Sequence, residues 1–142
     1  MTAPLAQRGV IYLDTAALVK LVRREPESDT LADWLDARVG SMFVSSVLIE
    51  VELPRALRRT EPELVRDVPA LLARVARYEI DELVRAAAAG FPDRDLRSLD
   101  AIHLATAQVI FGGRLTAFVS YDRRLLASAQ ALDLPVHSPA PG

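Results

Sequence analysis

Short apolar runs rich in strand formers alternate along this chain with segments whose apolar residues recur at helical spacing, and that alternation restricts the fold more than any other feature. The first run, Val10-Ile11-Tyr12-Leu13, is apolar at every position and ends at Asp14. A strand without polar alternation is one covered on both faces, as in the parallel sheets of α/β domains. Residues 15–23 then carry helical spacing, stopped by Glu25-Pro26. Ser28 is a candidate N-cap for a helix over 29–38 with Leu31, Trp34 and Leu35 on one face. Gly40 ends that helix, residues 41–45 read as a second strand, and Ser46 is a candidate cap for a helix running towards Arg59. Pro54 lies inside it; a proline there removes a hydrogen bond and clashes with the preceding turn at a cost of about 3 kcal/mol, which predicts a kink or local break.

The alternation continues to the C-terminus. Pro62 opens a helix that extends to Val75, with Pro69 positioned to divide it. Residues 78–80 read as a short strand, 81–89 as an alanine-rich helix ended by Gly90, and 99–111 as a helix capped by Ser98 and closed by Gly112-Gly113. Residues 117–120 form a fourth strand, 122–132 a helix and 135–137 an edge strand. The expected fold is α/β: a three-layer α/β/α sandwich around a short, mainly parallel sheet, in one domain over 1–142 with frayed ends at about 1–8 and 138–142. In such sheets ligands bind beyond the carboxyl ends of the strands. Asp14 falls at one such end, and Asp122 lies two residues beyond Ser120, at another.

Several function classes are excluded by composition. The absence of cysteine removes a disulfide scaffold, a thiolate zinc site and a cysteine nucleophile together. Residues 1–8 lack the apolar run of a signal peptide, and no apolar stretch reaches the ~18 residues needed to span a bilayer, so the expected address is the cytoplasm, with no membrane partner. A net charge of −2 argues against tight non-specific adhesion to nucleic acid. Of the 17 basic residues, however, only Lys20 is a lysine. The arginines fall in local groups whose planar guanidinium suits phosphate, although a GC-rich genome explains the bias equally well.

Four carboxylates stand out: Asp14 after the first strand, Glu52 in the helix after the second, Asp100 opening a helix, and Asp122 after the fourth strand. Singly, each has an ordinary role as a cap, a first-turn acid or a solvated helix residue. Together, two come from strand ends on one rim and two from helices flanking it. Carboxylates crowded in an apolar site do not all stay ionised without a cation, and all-oxygen acidic clusters suit Mg²⁺ or Mn²⁺. Glu50 and Glu52 sit on nearly opposite helix faces, so only one reaches the site. The six-residue step from Ser46 favours Glu52, but the apolar circumference of that helix leaves the matter open.

The segment Tyr12-Leu13-Asp14-Thr15-Ala16-Ala17-Leu18-Val19-Lys20 resembles the opening motif of PIN-domain proteins, specifically the VapC-type toxins of bacterial toxin–antitoxin pairs. Residues 45–56, 98–107 and 119–125 resemble the family's later motifs in order and spacing, so the resemblance covers about residues 9–137. It implies a Mg²⁺-dependent endoribonuclease acting on structured RNA such as tRNA, neutralised by a VapB-type antitoxin and commonly a homodimer. It further implies that Asp14, Glu52, Asp100 and Asp122 are the catalytic set, that Asp14, Asp100 and Asp122 ligate metal, and that Ser120 orients a ligand or water. Family members often carry another acid two residues after the last aspartate. Here that position is Arg124, which weakens the Asp122 side relative to Asp14 and Asp100.

Arg55, Arg59, Arg97 and Arg123 lie near these acids in sequence. Arg55, Arg97 and Arg123 are the expected RNA contacts, against surface pairing with neighbouring carboxylates. His103 follows Asp100 by one turn, and its apolar helix favours a packed, hydrogen-bonded role over a general base. Tyr12 and Trp34 read as core residues rather than base-stacking platforms. Two other functions are considered. A haloacid-dehalogenase-type phosphatase also has an aspartate after its first strand, but it wants a second acid where Ala16 stands. A PIN-like module that only binds antitoxin or RNA, catalytically weak or inactive, is the other.

Overall fold

A computed structural model describes residues 8–142; the expected fraying of residues 1–7 lies outside the described residues. Five strands form one sheet: β1 (Val10–Leu13), β2 (Met42–Ser46), β3 (Ala76–Tyr78), β4 (Leu115–Val119) and β5 (Val136–His137), in the order β3-β2-β1-β4-β5. Every pairing is parallel. The helices are α1 (Thr15–Lys20), α2 (Ser28–Asp36), α3 (Ile49–Thr60), α4 (Val68–Leu72), α5 (Glu82–Gly90), α6 (Ser98–Thr106) and α7 (Arg123–Ala131). No described helix is long and apolar enough to cross a membrane.

The unbroken apolar run of β1 is explained by its central place, since all four residues are buried. Successive side chains leave a strand on opposite faces. Ile11 and Leu13 therefore join Leu18, Leu31, Leu53 and Leu57 in one core layer. Val10 and Tyr12 join Leu104, Phe118 and Leu125 in the other. The chain steps from β1 outwards to β2 and β3, then returns across the sheet to β4 on the far side of β1. The carboxyl ends of β1 and β4 thus flank the point where the winding reverses, which is where open α/β sheets bind ligands.

Local differences from the sequence expectation have identifiable causes. Ser28 does not cap α2: its hydroxyl accepts from the Glu25 backbone N–H (2.9 Å) and is spent on the preceding turn. Ser46 is buried at the end of β2 and accepts from the Leu48 N–H (3.1 Å), so α3 begins at Ile49. Ser98 is the first residue of α6 rather than its cap. α3 runs unbroken through Pro54, held to the sheet by the fully buried Ile49, Leu53 and Leu57 at four-residue spacing. Pro69 occupies the first turn of α4, where a missing N–H costs nothing. It therefore opens a helix instead of dividing one, and residues 62–67 before it are 3₁₀. β3 falls two residues before the expected strand, in register with Val44, Ser45 and Ser46. α6 ends at Thr106 and relaxes into a π-helical turn (Ala107–Phe111), stopped by Gly112 at φ +50.

Asp81 caps α5 by accepting from the Val84 N–H at 2.9 Å. Asp81→Ala is expected to lower stability by about 1 kcal/mol in urea denaturation.

Candidate active site

Asp14 leaves β1 at its carboxyl end and caps α1, its Oδ1 accepting from the Ala17 N–H at 2.9 Å. The other oxygen, Oδ2, accepts from the Ser120 hydroxyl, which follows β4. The two strand ends are also joined directly, the Asp14 N–H donating to the Val119 carbonyl at 3.3 Å. Asp14 is almost wholly buried, and burial pushes its carboxyl up from 3.8 to about 6 against the pull of His103, Ser120 and Ala17, with Asp100 adding to the rise. Helix capping and site membership are therefore properties of the same side chain.

Asp122 ends the connection after β4. It caps α7, its Oδ1 accepting from the Arg124 and Leu125 N–H groups (2.9 and 3.2 Å), while its own N–H donates to Ser120 Oγ at 3.1 Å. One Ser120 hydroxyl thus ties Asp14 to the Asp122 backbone. Asp100 lies in the first turn of α6, half-buried. Its carboxyl is raised by burial and by the negative charges of Asp122 and Glu52, with His103 and Arg97 opposing.

Glu52, not Glu50, faces this cluster. Glu50 is turned outward and pairs with Arg77 at 3.5 Å. Glu52 Oε1 accepts from Thr15 Oγ1 and lies 2.7 Å from His103 Nε2. Burial pushes the Glu52 carboxyl up, but the His103 and Thr15 contacts outweigh it and leave the group below the usual range. His103 is itself buried, with Nδ1 2.7 Å from the Tyr12 hydroxyl. Both ring nitrogens are engaged, as befits a packed histidine that orients Glu52. Sequence reasoning did not find Thr15 or the Tyr12–His103–Glu52 chain. The signal for Thr15 was its place directly after Asp14; the chain joins residues 91 and 51 positions apart and left none.

Beside the acids opens a cleft of about 640 Å³ lined by Asp100, Asp122, Arg97, Arg123, Arg124 and the Asp93–Asp95 loop. Among the described residues, Arg97 and Arg123 form no ion pair, which leaves both guanidinium groups available to an anion. Arg55 and Arg59 are exposed on α3 and do not line this cleft.

Asp14 and Asp122 at adjoining strand ends, with Glu52 and Asp100 on helices beside them, have a counterpart among known domains. The PIN domain family model matches residues 11–134. The chain belongs to the PIN-domain family. Ribonuclease VapC35 of Mycobacterium tuberculosis is 55% identical over 131 residues, covering 92% of this chain and 97% of that protein. Ribonuclease VapC46 of the same species is 40% identical over 132 residues (93% and 99%), and Ribonuclease VapC47 40% over 133 (92% and 97%). With relatives of this kind the chain is a VapC-type PIN domain, and the observed five-stranded parallel sheet agrees with the expected α/β/α fold.

The donor set of this PIN domain fits a hard divalent cation. It is all carboxylate and hydroxyl oxygen, and burial holds Asp14 and Asp100 above their ordinary pKa, with Asp100 adding to the rise of Asp14, and Asp122 and Glu52 to that of Asp100. That fit is one of donor chemistry and not of a preformed site: among the described residues no group of three or more Asp, Glu or His side chains is gathered closely enough to hold a metal ion.

Proposed function

We propose that this chain is a divalent-metal-dependent endoribonuclease, a cytoplasmic VapC-type toxin acting on structured RNA such as tRNA. In this reading it forms a homodimer and is neutralised by a VapB-type antitoxin. The observation that carries the catalytic reading is the joining of Asp14 and Asp122 through Ser120 at the ends of β1 and β4, with Asp100 close enough to Asp122 and Glu52 to feel their charge. The names of the VapC relatives support ribonuclease activity, and the family resemblance supports the antitoxin partner and the dimer.

Asp14, Asp100 and Asp122 would hold Mg²⁺, with Mn²⁺ as a substitute. Bound there, the cation supplies Lewis acidity and a water made nucleophilic at neutral pH. Ser120 fixes the Asp14 carboxylate by donating to Oδ2. Glu52, locked by Thr15 and His103, would keep a negative charge beside the other acids and orient the attacking water. Arg97 and Arg123, both lining the cleft, would bind phosphates flanking the scissile bond.

The test is incubation of purified protein with total RNA in Mg²⁺, Mn²⁺ or EDTA, followed by mapping of new 5′ ends. Discrete metal-dependent ends are expected. Tight RNA binding without cleavage under every metal condition would replace this reading with the binding-only module. Arg97→Ala and Arg123→Ala are each expected to raise KM for RNA with little change in kcat. Each should also make log affinity less steep in log salt by roughly 0.7–0.9, the contribution of one phosphate contact. Fluorescence-anisotropy titrations at several salt concentrations measure both.

A further inference from the structure

The connection Ser120-Tyr121-Asp122 supplies both the hydroxyl on Asp14 and one of the acids, yet it is neither strand nor helix. Such a segment holds its geometry only if other elements grip it. The end of β5 and the stretch after it, where the sequence predicts fraying from residue 138, do so. The Ser120 N–H donates to the His137 carbonyl at 3.3 Å, and the Ser138 hydroxyl donates to the Ser120 carbonyl at 2.6 Å. The Tyr121 hydroxyl donates to the Pro139 carbonyl at 2.6 Å. The Ser120 N–H thus extends the β4–β5 pairing by one bond, and the Ser120 carbonyl is taken by Ser138 beyond that strand.

From the opposite side the grip is electrostatic. Lys20 Nζ, the only lysine in the chain, lies 4.7 Å from the centroid of the Tyr121 ring. Lys20 is fixed there by Glu27 at 2.6 Å and Glu25 at 3.3 Å. Tyr121 is thus held between the end of α1 and residue 139. Ser138 is exposed and the tail buries little apolar surface, so these bonds serve the fold weakly. What they do hold is the backbone from which Ser120 and Asp122 project.

We propose that residues 137–139 and the Lys20–Tyr121 pair form a latch that positions Ser120 and Asp122, making Ser138 and Tyr121 positioning residues for phosphodiester hydrolysis. The latch rests on the ribonuclease reading for its effect on turnover, and on geometry alone for its effect on the loop. Neither residue touches RNA or metal in this account; both act through Ser120 and Asp122.

The experiment compares wild type, Ser138→Ala, Tyr121→Phe, the double variant and the conservative Ser138→Thr, all as full chains. Steady-state cleavage of a defined RNA is measured at fixed Mg²⁺, together with hydrogen–deuterium exchange across residues 119–123 in EDTA. The double variant is expected to lose about tenfold in kcat with KM within about twofold, the signature of misplaced reacting groups rather than lost binding. Its loop amides should exchange faster, with little change in melting temperature, and Ser138→Thr should restore both readouts. Wild-type kcat and wild-type loop exchange in the double variant would overturn the latch, as would a change confined to KM. If wild type fails to cleave RNA, the ribonuclease reading fails, and loop exchange still decides whether the tail holds the loop. Ser138→Ala alone carries the same comparison if the double variant does not fold.

Discussion

Asp14→Ala is expected to reduce RNA cleavage by about a thousandfold or more, the several kcal/mol of transition-state stabilisation that a bound metal contributes. No other single change at the site removes as much. Asp14 is the buried acid of the cluster, and the one whose two oxygens are individually assigned, Oδ1 to Ala17 and Oδ2 to Ser120. Loss of the cap costs about 1 kcal/mol, but loss of a buried charge works in the opposite direction, so the variant should fold. Circular dichroism with 5′-end mapping separates the two effects. Undiminished metal-dependent cleavage by folded Asp14→Ala would refute the assignment of this centre.

The second large effect is on stability and depends on pH. With its carboxyl raised from 3.8 to about 6, ionised Asp14 destabilises the metal-free folded chain by about 3 kcal/mol. The sign follows from proton counting. Between 3.8 and about 6 the folded chain holds more protons than the unfolded one, so stability falls as pH rises through that window. Asp100, also raised, acts in the same sense. Glu52 opposes: its lowered group contributes stability above its ordinary value of 4.5, and that is lost as pH falls through the folded value. Asp14→Asn keeps an oxygen for the Ala17 cap and removes the charge. In EDTA the variant should exceed wild type by about 3 kcal/mol at pH 7.5 and match it near pH 4. Urea denaturation at both pH values measures this. Added Mg²⁺ should stabilise wild type at pH 7.5 and leave the variant unchanged. Equal stabilities of the two proteins at pH 7.5 would show that burial of Asp14 carries no such cost.

What the sequence revealed and what it concealed divide along physical lines. β1 was legible because a strand covered on both faces must be apolar throughout, and Asp14 at its end was legible with it. The helix starts were less so. Ser28 and Ser46 have the residue type of a cap, but their hydroxyls serve the preceding turns, and no local pattern distinguishes the two uses. Pro54 carried a local penalty that tertiary burial of Leu53 and Leu57 overrode. At the site, the choice between Glu50 and Glu52 is made by His103, 51 residues further on. The separation of Arg97 and Arg123 from Arg55 likewise depends on which elements border the cleft. Contacts between distant segments decide these cases, and periodicity within one segment cannot encode them.

The strand order has a temporal consequence. β1 is made first yet sits at the centre, and its partner β4 is made roughly a hundred residues later; the Ser120–Asp14 bond spans 106 positions. Closing so long a loop is slow, and a chain emerging from the ribosome does so amino end first. Until β4 is made, β1 has no neighbour on one side, and Asp14 has neither Ser120 nor Asp122 beside it. On the proposed reading, a nascent chain or an amino-terminal fragment lacking β4 would be harmless to the RNA around it, because the acidic centre is assembled only when β4 docks beside β1.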